Sequence, residues 1–100
     1  MDLRAAQKAV YKNKVDKGFN VTDVSKEFCL LYGEVAEAYE AWKRRHDNVG
    51  EELADIAIYL LGLSEILGVD LASEVESKMK INQDREYEII DGILNRVSKR

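Results

Sequence analysis

A chain of 100 residues that is 46% hydrophobic and 34% charged, with no proline, has the makeup of a soluble helical protein rather than a disordered one, and residues 1–100 are read as one domain. Its net charge of −4 removes the electrostatic grip that a nucleic acid polymer or an anionic membrane would require. The longest apolar run, residues 56–63, is far short of a bilayer span, Met1-Asp2-Leu3-Arg4 does not open like a signal peptide, and a cytoplasmic location is the default expectation.

The first predicted helix runs from Leu3 to about Val15, with Leu3, Ala6 and Val10 on one side. Gly18 in Lys17-Gly18-Phe19-Asn20 suits a positive φ, and Asn20 or Thr22 can cap the next helix. This second helix, about Thr22 to Arg44, places Val24, Phe28, Leu31, Val35, Ala38 and Trp42 at alternating steps of four and three, which predicts a core-facing seam. Cys29, the only cysteine, excludes an internal disulfide and reads as a small buried or interface residue. A polar connector, Lys43 to Asn48, leads to a capping-box-like Asn48 and Glu51 that starts the third helix near Val49.

That third helix is apolar on two sides. Leu53, Ile56, Leu60, Leu63 and Leu67 form one stripe, and Ala54, Ala57, Ile58 and Leu61 form a second, which is expected to meet another subunit. Gly68 ends it and Asp70 caps a fourth helix from Leu71, with Leu71, Val75, Met79 and Asn82 on one face. Beyond Arg85, Glu88-Ile89-Ile90-Asp91-Gly92-Ile93-Leu94 reads as a further helix or a docking tail.

Two carboxylate pairs spaced i, i+3 stand on the second and third helices: Glu34 with Glu37, and Glu52 with Asp55. On a helical wheel Glu34 borders Ala38, Leu31 and Leu30, and Glu52 falls among Ile56, Leu63 and Tyr59, so both sit in apolar arcs. In an antiparallel hairpin, level residues share a constant sum of residue numbers. Glu34 with Asp55 and Glu37 with Glu52 share one, and it centres the turn near residues 44 and 45, at the polar connector. Four level carboxylates beside apolar surface repel one another and lose hydration, a difficulty that a hard divalent cation removes. Oxygen ligands without His or Cys suit Mg²⁺, with Mn²⁺ as substitute. The plainer alternative is that Glu52 and Asp55 answer the helix dipole while Glu37 and Glu40 pair with Lys43 or Arg44.

Gly33-Glu34-Val35-Ala36-Glu37-Ala38, Glu51-Glu52-Leu53-Ala54-Asp55-Ile56, Leu67-Gly68-Val69-Asp70-Leu71, and Lys78 with Asn82 and Arg85, in this order, resemble the MazG-like nucleoside triphosphate pyrophosphohydrolases of the all-α NTP pyrophosphatase superfamily. The resemblance covers about residues 28–85. It implies an all-α, four-helix-bundle-like MazG-type fold, oligomeric as a homodimer or homotetramer, with Mg²⁺ held by Glu34, Glu37, Glu52 and Asp55. It further implies hydrolysis of a nucleoside triphosphate to the monophosphate and pyrophosphate in nucleotide-pool cleaning. Within such a site either Glu34 or Glu37 serves as the catalytic carboxylate that orients the attacking water or takes its proton.

Lys78, Asn82 and Arg85, at i, i+4 and i+7, align on one face as phosphate contacts, or else form a solvated face with Lys78 paired to Glu74. Lys14, Lys17 and Phe19 near the first loop are candidates for closing the nucleotide pocket. Trp42 is a candidate for base stacking, although its place on the seam favours core packing. His46 reads as a surface residue. Relatives with these acidic motifs act on different nucleotides, so the base stays open. A rival reading is a non-catalytic helical interaction module whose acidic pairs are structural.

Overall fold

The computed structural model describes residues 1–97 and shows α1 (Leu3–Lys17), α2 (Val24–Lys43), α3 (Val49–Ile66), α4 (Leu71–Asp84), β1 (Glu86–Ile90) and β2 (Ile93–Val97) in that order. The fold is mostly helical, with one small two-stranded sheet. The last three residues of the tail lie outside the described residues. No single helix among the described residues is long and apolar enough to cross a membrane.

Local chemistry sets the helix ends. Gly18 at φ 73° and Gly68 at φ 69° take the left-handed conformation that closes α1 and α3. At Gly68, its own N–H and that of Val69 donate back to the carbonyls of Glu65 and Ser64, which satisfies the last turn. Arg45 performs the same service for α2 at φ 59°, with its N–H donating to Trp42 and that of His46 to Ala41. A side chain in that region of φ is disfavoured.

The cap of α2 is Asp23, which accepts from the N–H of Lys26, in place of the expected Asn20 or Thr22. The Asn20 carbonyl instead accepts from the N–H groups of Thr22 and Asp23 and shapes the turn before the cap. Asn48 does precede α3, but its side chain makes no cap hydrogen bond. Its amide donates to Glu52 Oε1 at 3.3 Å, so the capping box is not formed.

α3 is the centre of the molecule, packed against α2 on one side and α1 on the other, while α4 touches α1. Small residues permit these approaches. Ala38 and Ala41 are buried on α2, and Gly62 of α3 leaves room for the Lys14 stem, where an added Cβ would lie 3.1 Å from Lys14 Cδ. Gln7, buried on α1, donates to Glu65 Oε2 at 2.9 Å and to the Val69 carbonyl at 2.7 Å, and accepts from the N–H of Leu71. It thereby ties α1 to the α3–α4 turn through groups that would otherwise lose their hydration.

The core differs from the one the apolar spacing predicts. Of the expected seam on α2, Ala38 is buried and Val24 and Leu31 are half-buried, beside buried Glu27 and Ala41, whereas Phe28, Val35 and Trp42 are exposed, Trp42 at 66%. Cys29 is exposed as well. On α3 both predicted stripes are divided: Leu61 and Leu63 are buried, while Leu53, Leu60 and Leu67, and Ile58 from the second stripe, are exposed. The chain therefore shows heptad-spaced exposed rows at 28, 35, 42 and 53, 60, 67. On α4, Val75 and Met79 are exposed.

The tail after Arg85 is an antiparallel β-hairpin and not a further helix. Its register pairs Ile90 with Ile93 and Glu86 with Val97, closed by Asp91 and Gly92 at φ 52° and 77°, the two left-handed positions of a type I′ turn. Ile89, Ile90, Ile93 and Leu94 are all exposed.

The accessible surface is 7906 Å², against about 5,800 Å² for a compact monomer of this mass. The radius of gyration is 17.4 Å, against about 13 Å expected for 100 residues. The excess surface is of the order that a permanent protein interface buries.

Candidate functional site

The α2–α3 hairpin brings Glu34, Glu37 and Glu52 together. One carboxylate oxygen from each lies within 4.8 Å of the others. Glu37 is exposed, and Glu34 and Glu52 are half-buried. Asp55 is exposed and is not among these converging oxygens, although its charge acts on Glu34. Three of the four carboxylates aligned by the hairpin register thus meet, and the fourth stands beside them.

Glu34 Oε2 and Glu52 Oε2 are each buried and have no hydrogen-bond partner among the described residues. Such oxygens ordinarily find a donor, because removal from water without one is unfavourable. Burial, first, and then the charges of Glu37 and Asp55 push the Glu34 carboxyl above the usual carboxylate range. Among the described residues no lysine or arginine donates to these oxygens, so the ligand set of this cluster fits a hard divalent cation with oxygen preference.

On the side toward the α2–α3 turn, the cluster borders an open cavity of about 440 Å³ whose lining includes Glu37, Glu40, Arg44, His46 and Glu52. The Arg44 Nε donates to Glu40 Oε2 at 3.1 Å. His46 is exposed, as its place in the connector suggests, yet it shares this cavity wall with two of the clustered carboxylates. Arg44 and His46 were not legible as site residues because only the turn folds them back over the hairpin.

In the other direction lies a second cavity, of about 340 Å³, lined by Lys14, Phe19, Asn20, Glu27, Leu30 and Tyr59 among others. Lys14, expected near the mouth of a pocket, is buried. Its Nζ donates to Glu27 Oε1 and lies 5.4 Å from the centroid of the Tyr59 ring. Asn20 Nδ2 donates to Glu27 Oε2 at 3.2 Å. Burial, first, and then the charges of Glu34 and Glu27 raise the Tyr59 phenol. Phe19 lines this cavity, while Lys17 is exposed and does not line it.

Trp42 is turned outward beside Tyr39, ring centroids 6.1 Å apart, over an apolar groove with Val35, Leu53 and Ile56. Lys78 and Asn82 are exposed on α4 and Arg85 is half-buried at its end. α4 packs mainly on α1, and none of these three lines either cavity beside the carboxylates.

A family model described as the MazG-like family matches residues 20–95, a span that includes both acidic pairs and the hairpin. Neither the curated proteins nor the solved structures provide a match.

Proposed function

Since this chain belongs to the MazG-like family, which points to a pyrophosphohydrolase-type enzyme, we propose that it hydrolyses a nucleoside triphosphate to the monophosphate and pyrophosphate with Mg²⁺ as cofactor. The observation that carries this reading is the pair of buried, unpartnered oxygens on Glu34 and Glu52. In it, Glu34, Glu52 and Glu37 hold the cation, with Asp55 adding charge from the edge. Bound Mg²⁺ supplies charge neutralisation at the phosphates and acidification of water.

The remaining steps belong to the protein. Glu37, the exposed member of the cluster, faces the cavity where water enters, so it orients the attacking water and takes its proton. The water oxygen bonds to the α-phosphorus, the bond from that phosphorus to the α–β bridging oxygen breaks, and pyrophosphate leaves toward Arg44 and His46. Those side chains offer cationic and hydrogen-bonding partners on that wall.

The exposed rows at 28, 35, 42 and 53, 60, 67 support a homodimer or homotetramer in which these rows are covered. Lys78, Asn82 and Arg85 serve as phosphate contacts in this reading where a second copy brings an α4 to the cluster. A stable monomer in sedimentation at micromolar concentration would contradict that assembly.

The test of the reaction is pyrophosphate release from a panel of ribo- and deoxyribonucleoside triphosphates with Mg²⁺. The reading expects release from at least one nucleotide, dependent on the cation. A folded chain that releases none from any of them, with or without Mn²⁺, is instead a non-catalytic helical module.

A further inference from the structure

We propose that the cavity over Lys14 and Glu27 is the nucleobase site and selects bases with a lactam edge, the adjacent carbonyl and ring N–H of uracil, thymine, guanine and hypoxanthine. This inference rests on the nucleotide reading above and concerns its specificity.

Its position is set by the helices. Leu30 lies one turn before Glu34 on α2, and Tyr59 one turn after Asp55 on α3, so the cavity begins about 6 Å along the helix axes from the carboxylates. A ribose spans such a gap between an α-phosphate at the cluster and a base in the cavity. Phe19, Leu30 and Tyr59 supply the apolar and aromatic walls on which a base face rests, a contact to which all bases contribute alike. Lys26 also lines the cavity but is exposed, where solvent screens its charge, so discrimination comes chiefly from the buried polar floor.

That floor is a built feature. Glu27 is 2% exposed and Lys14 9%, and burying an ion pair is not in itself a strong source of stability. The ammonium of Lys14 carries three donors, and among the described residues one is taken, by Glu27. The Glu27 carboxylate accepts from Lys14 on one oxygen and from Asn20 on the other, which leaves lone-pair capacity on each.

A donor and an acceptor side by side complement a carbonyl beside an N–H. Lys14 donates to O4 of uracil or O6 of guanine while Glu27 accepts from the neighbouring ring N–H. Cytosine and adenine present the reverse, an amino group beside an unprotonated ring nitrogen, so Lys14 would face a donor and Glu27 an acceptor. Asn20 has no freedom to compensate, because its amide already donates to Glu27 and to the Asp23 carbonyl, and its oxygen accepts from two backbone N–H groups.

The test is calorimetric titration of the whole chain, with Mg²⁺, against dUMP and dCMP and against dGMP and dAMP. Within each pair the lactam base is expected to bind at least about tenfold more tightly, the discrimination of one matched pair of hydrogen bonds. Equal affinities within both pairs, tighter binding of dCMP or dAMP, or no binding of any of the four at millimolar concentration would each overturn the inference.

The Glu27→Gln variant, whose amide both donates and accepts, is expected to bring each ratio below about threefold. A purely structural Lys14–Glu27 pair would leave the ratio unchanged in any folded variant. If Glu27→Gln does not fold, Phe19→Ala on the exposed wall decides: both members of a pair are expected to weaken together, and affinities equal to those of the original chain would overturn the inference. Equal pyrophosphate release from dUTP and dCTP would sink the base selection while leaving the enzyme reading intact. Preferential binding of dUMP in a chain that releases no pyrophosphate would do the opposite.

Discussion

Glu27 and Glu34 stand seven residues apart on the inward side of the same helix, and the protein treats them in opposite ways. Glu27 is enclosed with a lysine and an asparagine from the same chain, and both of its oxygens have donors. Glu34 has acidic neighbours and a buried oxygen without a donor. A carboxylate given donors by its own chain is held in place whether or not a ligand reaches it. One left without a donor among the described residues, beside two others, is eased by a proton or, in the reading proposed above, by a cation.

The sharpest way to break this contrast is chemical. Glu37→Gln is expected to reduce pyrophosphate release by about 10²–10⁴-fold, the usual contribution of a positioned proton acceptor, while its metal-free melting temperature does not fall. Unchanged turnover would remove Glu37 from the reaction. On the other side, Lys14→Met strands the buried Glu27 charge and is expected to cost about 3–5 kcal/mol in urea unfolding. A loss as small as that of Glu34→Gln would erase the distinction between the completed and the incomplete carboxylate.

Mg²⁺ at about a hundred times its dissociation constant is expected to stabilise the chain by about 2.7 kcal/mol, read as a shift in the unfolding midpoint. Glu34→Gln or Glu52→Gln should weaken that shift, and Lys14→Met should keep it. The pH dependence comes from the raised Glu34 carboxyl. Its protonation stabilises the metal-free fold, fully so below the unfolded carboxylate pKa, and this contribution is lost as pH rises through the higher folded value. Mild acidification without metal should therefore raise the contribution of this site to the melting temperature, and Glu34→Gln should flatten the response. The smallest effect is expected at the turn: Arg45→Gly relieves a left-handed side chain and should add up to about 1 kcal/mol, with neither carboxylate changed.

Much of this was legible in the residues. Gly18, Gly68 and Asp70 mark helix ends where the structure has them, and the level acidic pairs imply the turn at residues 44 and 45. The core was less legible, for a physical reason. Spacing reveals which residues are apolar on a shared face, but not whether that face meets the chain itself or another molecule. Phe28, Val35 and Trp42 satisfy the rule for a seam and face outward, while the inward row is marked by Glu27 and small alanines that carry little hydrophobic signal.

Lys14 with Glu27 was invisible because the pair joins two helices across a loop, where no helical spacing rule applies. The hairpin did have a signal, Asp91-Gly92 between Ile89-Ile90 and Ile93-Leu94, which is outweighed when only helical periods are counted. The three converging carboxylates share one hairpin, and its register dictates their meeting. The partners of Lys78, Asn82 and Arg85 are not dictated in this way, since nothing within the sequence fixes how α4 lies against α2 and α3.

The C-terminal hairpin gives the chain a built-in gauge of its surroundings. A two-stranded ribbon with apolar residues in water is marginal by itself, and its amides then exchange with solvent at rates set by its own fraying. The interstrand bonds between Glu86–Ile90 and Ile93–Val97 should accordingly exchange more slowly as protein concentration rises if copies cover them. Their exchange should be indifferent to concentration if they do not.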